Sequence, residues 1–296
     1  MTYTELTLHQ RMQNALQYIQ NSLDQALDPE EIAAQAHFSL SHFHRIFKGM
    51  IGETLGEHVR RLRLERSAQL LIYSDRPITT IAFDAGYETL ESFSRAFKKM
   101  FGSSPSHFRE ELRELKFPDS PSGIHYNPGA TLGLPNLSQQ DHGLEMRFAM
   151  LDPMRIASIR HTGPYQECGM AWKRLCDWAC PKGIFNETTM FLGICYDDPA
   201  ITPADKIRME VSVTVPDHIQ PEGEIAIRTV PGGEYAVVTH HGPYHLLEET
   251  YSRFCGRWLP ASGREIRNQP GMEHYITNPE VTAPEDLITD LYIPLV

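Results

Sequence analysis

No stretch of the 296 residues is apolar for long enough to span a bilayer, and the first ten, MTYTELTLHQ, are polar. That argues against a membrane protein and a secretory leader, so a cytoplasmic location is expected. Cysteine is scarce as well. The five residues, Cys168, Cys176, Cys180, Cys195 and Cys255, are odd in number and form no CxxC. A disulfide framework or a zinc knuckle is therefore disfavoured, and the thiols read as free and buried. Excess positive charge is missing too: the net charge of -11 argues at first against a nucleic-acid partner. No phosphate-binding glycine loop, metal-ligand spacing or independent nucleophile motif stands out, so neither cofactor nor metal is expected.

Splitting the charge changes the reading. Residues 1 to 113 hold 13 Lys+Arg against 14 Asp+Glu, which leaves the remainder with 14 against 24. The near-neutral first part concentrates its basic residues in two similar segments and in RRLRLER at Arg60 to Arg66, where phosphate contact is expected. The two segments are FHRIFKGMIG at Phe43 to Gly52 and FSRAFKKMFG at Phe93 to Gly102, offset by 50 residues. Each follows a short apolar helix and a turn, which is helix-turn-helix order occurring twice. In the second unit Gly86 supplies the turn's positive φ and Thr89 caps the next helix. In the first unit His37 takes the glycine's place and Ser39 or Ser41 is the cap. The inner faces are Phe43, Ile46 and Phe47 in one helix and Phe93, Phe97 and Met100 in the other. Outer faces carry His42, His44, Arg45 and Lys48, then Leu90, Glu91, Ser94, Arg95 and Lys98. A long helix, Leu55 to Asp75, is expected to hold the two at fixed separation. Successive major-groove faces lie about 34 Å apart, so one chain would span an asymmetric site on double-stranded DNA.

These residues, with the closing GSSPSHFRE of Gly102 to Glu110, resemble the DNA-binding domain of the AraC/XylS family over about residues 9 to 113. The resemblance implies base contacts from Ser41, His44 and Arg45 and from Leu90, Glu91, Ser94 and Arg95, with Lys48 and Lys98 beside them. Arginine takes guanine O6 and N7 bidentately, and Glu91 can accept from cytosine N4. Ser41 departs from a family branch with a large aromatic there, and Leu90 and Glu91 depart from amides.

Residues 114 to 143, rich in proline and without apolar periodicity, read as a linker. Beyond it the chain repeats again. RIASIRHTGPYQECGMAWKRLCDWACP at Arg155 to Pro181 returns as EYAVVTHHGPYHLLEETYSRFCGRWLP at Glu234 to Pro260, offset by 79 residues. Each half reads as strand, helix, strand, strand, the later strands being Gly193 to Pro199 with Met209 to Val215, and His274 to Pro279 with Leu287 to Leu295. The fold class is thus an all-α double helix-turn-helix domain followed by an α+β domain. Two pseudo-twofold repeats make its antiparallel sheet with two helices on one face, and the groove between halves is the natural ligand site.

The paired HxGPY motifs and the closing YIPL resemble the GyrI-like effector-binding domain over residues 144 to 296. That resemblance implies an aromatic pocket for hydrophobic, often cationic compounds, with its carboxylate at Glu273 and a tryptophan at Trp172. The repeat partner of Glu273 is Gly193 and that of Trp172 is Tyr251. Tyr165, Tyr244, Tyr275 and Tyr292 are further pocket candidates through cation-π attraction, although Tyr165 and Tyr244 equally suit a turn-closing role. His161 and His240 read as structural. A ligand-responsive transcription activator that contacts RNA polymerase and a small-molecule effector is the leading expectation. A hydrolase with Glu273 as general base and a module binding a gyrase-like protein partner are the alternatives.

Overall fold

Capping residues and apolar faces set the helices of the first part. The computed structural model describes residues 7–111, 115–127, 134, 143–197 and 202–296. Among these, the helices are α1 (Leu8–Asn21), α2 (Pro29–Gln35), α3 (Leu40–Ile51), α4 (Leu55–Tyr73), α5 (Ile78–Asp84), α6 (Leu90–Phe101) and α7 (Pro105–Glu110). The pairs α2–α3 and α5–α6 are the two helix-turn-helix units. His37 does adopt positive φ, 55°, where the second unit has Gly86 at 81°. Thr89 caps α6 by accepting from the Ser92 amide at 3.1 Å. Ser39 occupies the corresponding N-cap of α3 without a side-chain cap bond. Phe43, Ile46, Phe47, Phe93 and Phe97 are fully buried, as their helical spacing requires.

The arginine run of α4 corrects its expected phosphate role. Arg61 bonds Glu53 and Glu65, Arg63 donates to the carbonyls of Leu23 and Gln25, and Arg66 pairs with Asp24 at 3.6 Å. These guanidiniums hold helices together, and only Arg60 of the four is exposed. The expected linker also differs where it is described. Ile124 is buried, Arg61 donates to its carbonyl at 2.9 Å, and the fully buried Glu65 accepts from the Tyr126 amide at 2.7 Å and meets His125 Nδ1 at 3.0 Å. Gln20 completes the docking through the His125 carbonyl and the Asn127 amide. A chain segment without apolar periodicity is here fixed by polar bonds to a buried carboxylate. The chain divides into two compact units after Ser138.

In the second unit the strands are β1 (Met146–Leu151), β2 (Met154–Thr162), β3 (Phe191–Cys195), β4 (Arg208–Thr214), β5 (Ala226–Val230), β6 (Gly233–His241), β7 (Met272–Tyr275) and β8 (Ile288–Pro294). Helix α8 (Gly169–Ala179) follows β2, and α9 (Leu247–Arg253) follows β6 and runs through a wide turn into α10 (Leu259–Ser262). All described pairings are antiparallel, in the order β1-β6-β8-β7-β3-β4-β2-β5. The strand-helix-strand-strand repeat is present, and β1 and β5 are additions that the sequence reading missed. Each belongs to one half yet pairs on the edge of the other: β1 with β6, and β5 with β2. The turns leading out of them touch, since a Cβ on Gly232 would lie 2.6 Å from the Leu151 carbonyl oxygen. The sheet is therefore curled.

Strand alternation separates two cores. Ala157, Ile159, Val211 and Val213 pack under Ala171, Leu175 and Ala179 of α8. The opposite face gathers Ile156, Leu192, Ile194, Val237 and Tyr292. The middle of the sheet is the β3–β7 pair, where Gly193 lies directly opposite Glu273. These are the repeat-related positions, so the pseudo-twofold axis passes between them.

Candidate effector pocket and DNA-facing helices

On α6, Glu91, Arg95 and Lys98 form an exposed strip, with Ser94 half-buried and Leu90 40% exposed at its margin. Arg95 and Glu91, four residues apart, approach to 3.8 Å while both remain in solvent. On α3, Arg45 and Lys48 are half-buried, and the side chain of Ser41 lies outside the described residues. His44, expected to face DNA, is buried, as is His42. The helical period explains it: at about 100° per residue His44 falls only about 20° from the buried Ile51, on the edge of the apolar arc. A direct base contact by His44 would need that burial to open, which leaves Arg45 and Lys48 as the outward basic pair of α3.

The aromatic site is built around Glu273, which is 7% exposed on β7. His240 bonds Thr250 of α9 at 2.8 Å and shares its strand parity with Val238, in the row of Leu291 and Glu273. The carboxylate therefore points to the helix-covered face. Tyr275, two residues on and so on the same face, donates to Glu273 Oε2 at 2.8 Å. Burial, and after it the Glu273 charge, raises the Tyr275 pKa well above the ordinary value, so the hydroxyl remains a donor. The thiol of Cys195 and the hydroxyl of Tyr251 reach Oε1 at 3.6 and 3.5 Å. Trp172 and Tyr244 meet the Tyr275 ring edge-on, with centroids 5.7 and 5.3 Å away. Burial also raises the Cys168 thiol, which favours its neutral form.

Gly193 explains why this carboxylate occurs once. A Cβ there would collide with the Tyr275 hydroxyl and with the Met209 methyl at 2.7 Å. Any side chain on the symmetry-related position would displace the tyrosine that orients Glu273.

Residues 144–296 match the GyrI-like small molecule binding domain, more than half of the chain. The chain belongs to this family. Residues 32–111 match a helix-turn-helix domain, so an AraC-type DNA-binding region precedes the GyrI-like domain. Right origin-binding protein of Escherichia coli (strain K12) is 36% identical over 98 residues, 33% of this chain and 34% of that protein. The chain thus matches about a third of that relative's length. Regulatory protein SoxS of Salmonella typhimurium is 35% identical over 105 residues, 35% of this chain and 98% of its own length. The C-terminal domain of EcmrR is 16% identical, with a TM-score of 0.44 over 52% of this chain and 98% of that one.

Within the GyrI-like domain, Tyr292 corrects its expected pocket role. It pairs with Met272 while its neighbour Leu291 pairs with Glu273, so its ring lies on the other face of the sheet, 6.2 Å from Tyr235. Aromatic type alone misled there; strand parity gives the right answer. Tyr165 packs beside the α8 core, and its hydroxyl donates to the Asp197 carbonyl at 2.5 Å, which ties its turn to the loop after β3. His161 and His240 have the structural role expected of them: Nε2 meets the carbonyl of Pro164 at 3.0 Å and of Pro243 at 3.3 Å, closing each GPY turn. Two site residues were missed. Tyr251 is the repeat partner of Trp172, and Cys195 lies two residues from Gly193 on the same face, so repeat and parity together point to both. Among the described residues, no group of three or more His, Cys, Asp or Glu is placed to hold a metal, and no helix is long and apolar enough to cross a membrane.

Proposed function

We propose that this chain is a DNA-binding transcription regulator whose GyrI-like domain binds a hydrophobic, cationic effector over Glu273. The observation that carries the effector reading is one carboxylate, 7% exposed and bonded by Tyr275, whose ring Trp172 and Tyr244 meet edge-on. A carboxylate in apolar surroundings is costly to keep charged, and an organic cation stacked on those rings offsets that cost. The donors already on Glu273 favour this over a general base waiting for water, as the hydrolase reading requires. RNA polymerase is the partner that activation of transcription would call for.

Binding of tetraphenylphosphonium, followed by quenching of tryptophan fluorescence, tests the effector reading. Glu273→Gln should weaken binding at least tenfold while a neutral hydrophobic probe binds unchanged. Equal loss of both probes, or of neither, overturns the electrostatic role. For DNA, Arg45→Ala and Arg95→Ala in the full chain should each cost about 1–3 kcal/mol on a specific site. No loss from either would refute docking through α3 and α6.

A further inference from the structure

We propose that Glu91 is a base-reading residue of α6, requiring a cytosine close to the guanine taken by Arg95. The inference rests on the DNA-binding role proposed above. Glu91 is in the first turn of α6, its side chain 79% exposed, on the strip that also carries Arg95 at 75%. A helix entering the major groove with that strip foremost brings a carboxylate among phosphates and base edges. There it is repelled by every acceptor, and so it needs a donor. The groove offers amino donors on cytosine N4 and adenine N6, but adenine sets its N7 acceptor beside N6. Cytosine is therefore the base that satisfies Glu91.

Arg95 needs the opposite pattern, the O6 and N7 acceptors of guanine. The two side chains are one helical turn apart, about 6 Å along the axis, which is under two base-pair steps of about 3.4 Å. In the free protein they pair at 3.8 Å in solvent, a contact weak enough to exchange for base edges.

Selection of sites by the full chain, from duplex DNA randomised across both half-sites, tests this with wild type, Glu91→Gln and Glu91→Ala. Wild type should return a fixed cytosine within two base pairs of a guanine in one half-site. Glu91→Gln should turn that position to adenine, and Glu91→Ala should leave it without preference, each reducing discrimination roughly tenfold to a hundredfold. Arg95→Ala should lose the guanine and keep the cytosine. If the Glu91 variants select the same bases as wild type, or weaken only the guanine, Glu91 reads no base and the proposal fails. If wild type selects no sequence at all, the DNA-binding role fails with it.

Discussion

Glu273 and Gly193 face each other at the centre of the sheet, and their inequality shapes everything around them. Tyr275 occupies the volume that a Cβ on Gly193 would need. Gly193→Ala should therefore destabilise the GyrI-like domain by about 1–3 kcal/mol, read as a lower urea midpoint in tryptophan fluorescence, because the overlap falls in a packed interior. All three tryptophans, Trp172, Trp178 and Trp258, lie in that domain, so the signal reports it alone. Tyr275→Phe keeps the volume and removes the bond to Glu273 Oε2. It should cost about 1–3 kcal/mol in urea unfolding, since a buried carboxylate loses a donor, and weaken binding of tetraphenylphosphonium. Unchanged binding would show that the tyrosine does not set the carboxylate's orientation.

Among the elements, α4 shows what sequence pattern conveys and what it omits. Its extent, Leu55–Tyr73, is close to the expected helix, because apolar spacing and a Thr54–Glu57 capping box mark it. The destination of its arginines was not legible: acceptors such as the Leu23 carbonyl lie far off in sequence, and a basic run reads alike whether it meets phosphate or carbonyl. The strands behaved similarly. β4 and β8 stand out through apolar alternation and β2 and β6 through the repeated apolar runs before GPY, but β1 and β5 are exposed edge strands with half-polar patterns, MRFAML and AIRTV. Only the 79-residue repeat, extended upstream, would have revealed them. Glu53, bonded to both His58 and Arg61, gives α4 an acid-sensitive anchor. Burial pushes its carboxyl up, but the bonds from His58 and Arg61 outweigh that and hold it at about 2 against the usual 4.5. Its stabilisation is thus complete above pH 4.5 and lost as pH falls towards 2. Burial lowers His58 from 6.5 despite Glu53, so stability also falls as pH drops below 6.5. Urea unfolding followed by helical circular dichroism should show both declines. Glu53→Gln should cost about 1–3 kcal/mol at pH 7 and flatten the acid branch; a parallel acid branch would show that another group governs it.

For the whole molecule, residues 115–127 redraw the limits of the DNA-binding part. Glu65 is fully buried and takes the Tyr126 amide and His125 from this segment. A fragment ending at residue 113 should therefore be less stable to urea than one ending at 127, by about 1–3 kcal/mol, since it leaves a buried carboxylate short of partners. Equal midpoints would show that solvent replaces those bonds without cost. The charge asymmetry points the same way: the strongly acidic second part suits DNA poorly, which agrees with the proposed docking through α3 and α6. The GyrI-like sheet, finally, cannot be cut in two. Each half lends its leading strand to its sibling, so a protein encoding one repeat by itself would lack an edge and present β2 or β6 bare. Such a protein could complete its sheet only by exchanging β1 with a second copy.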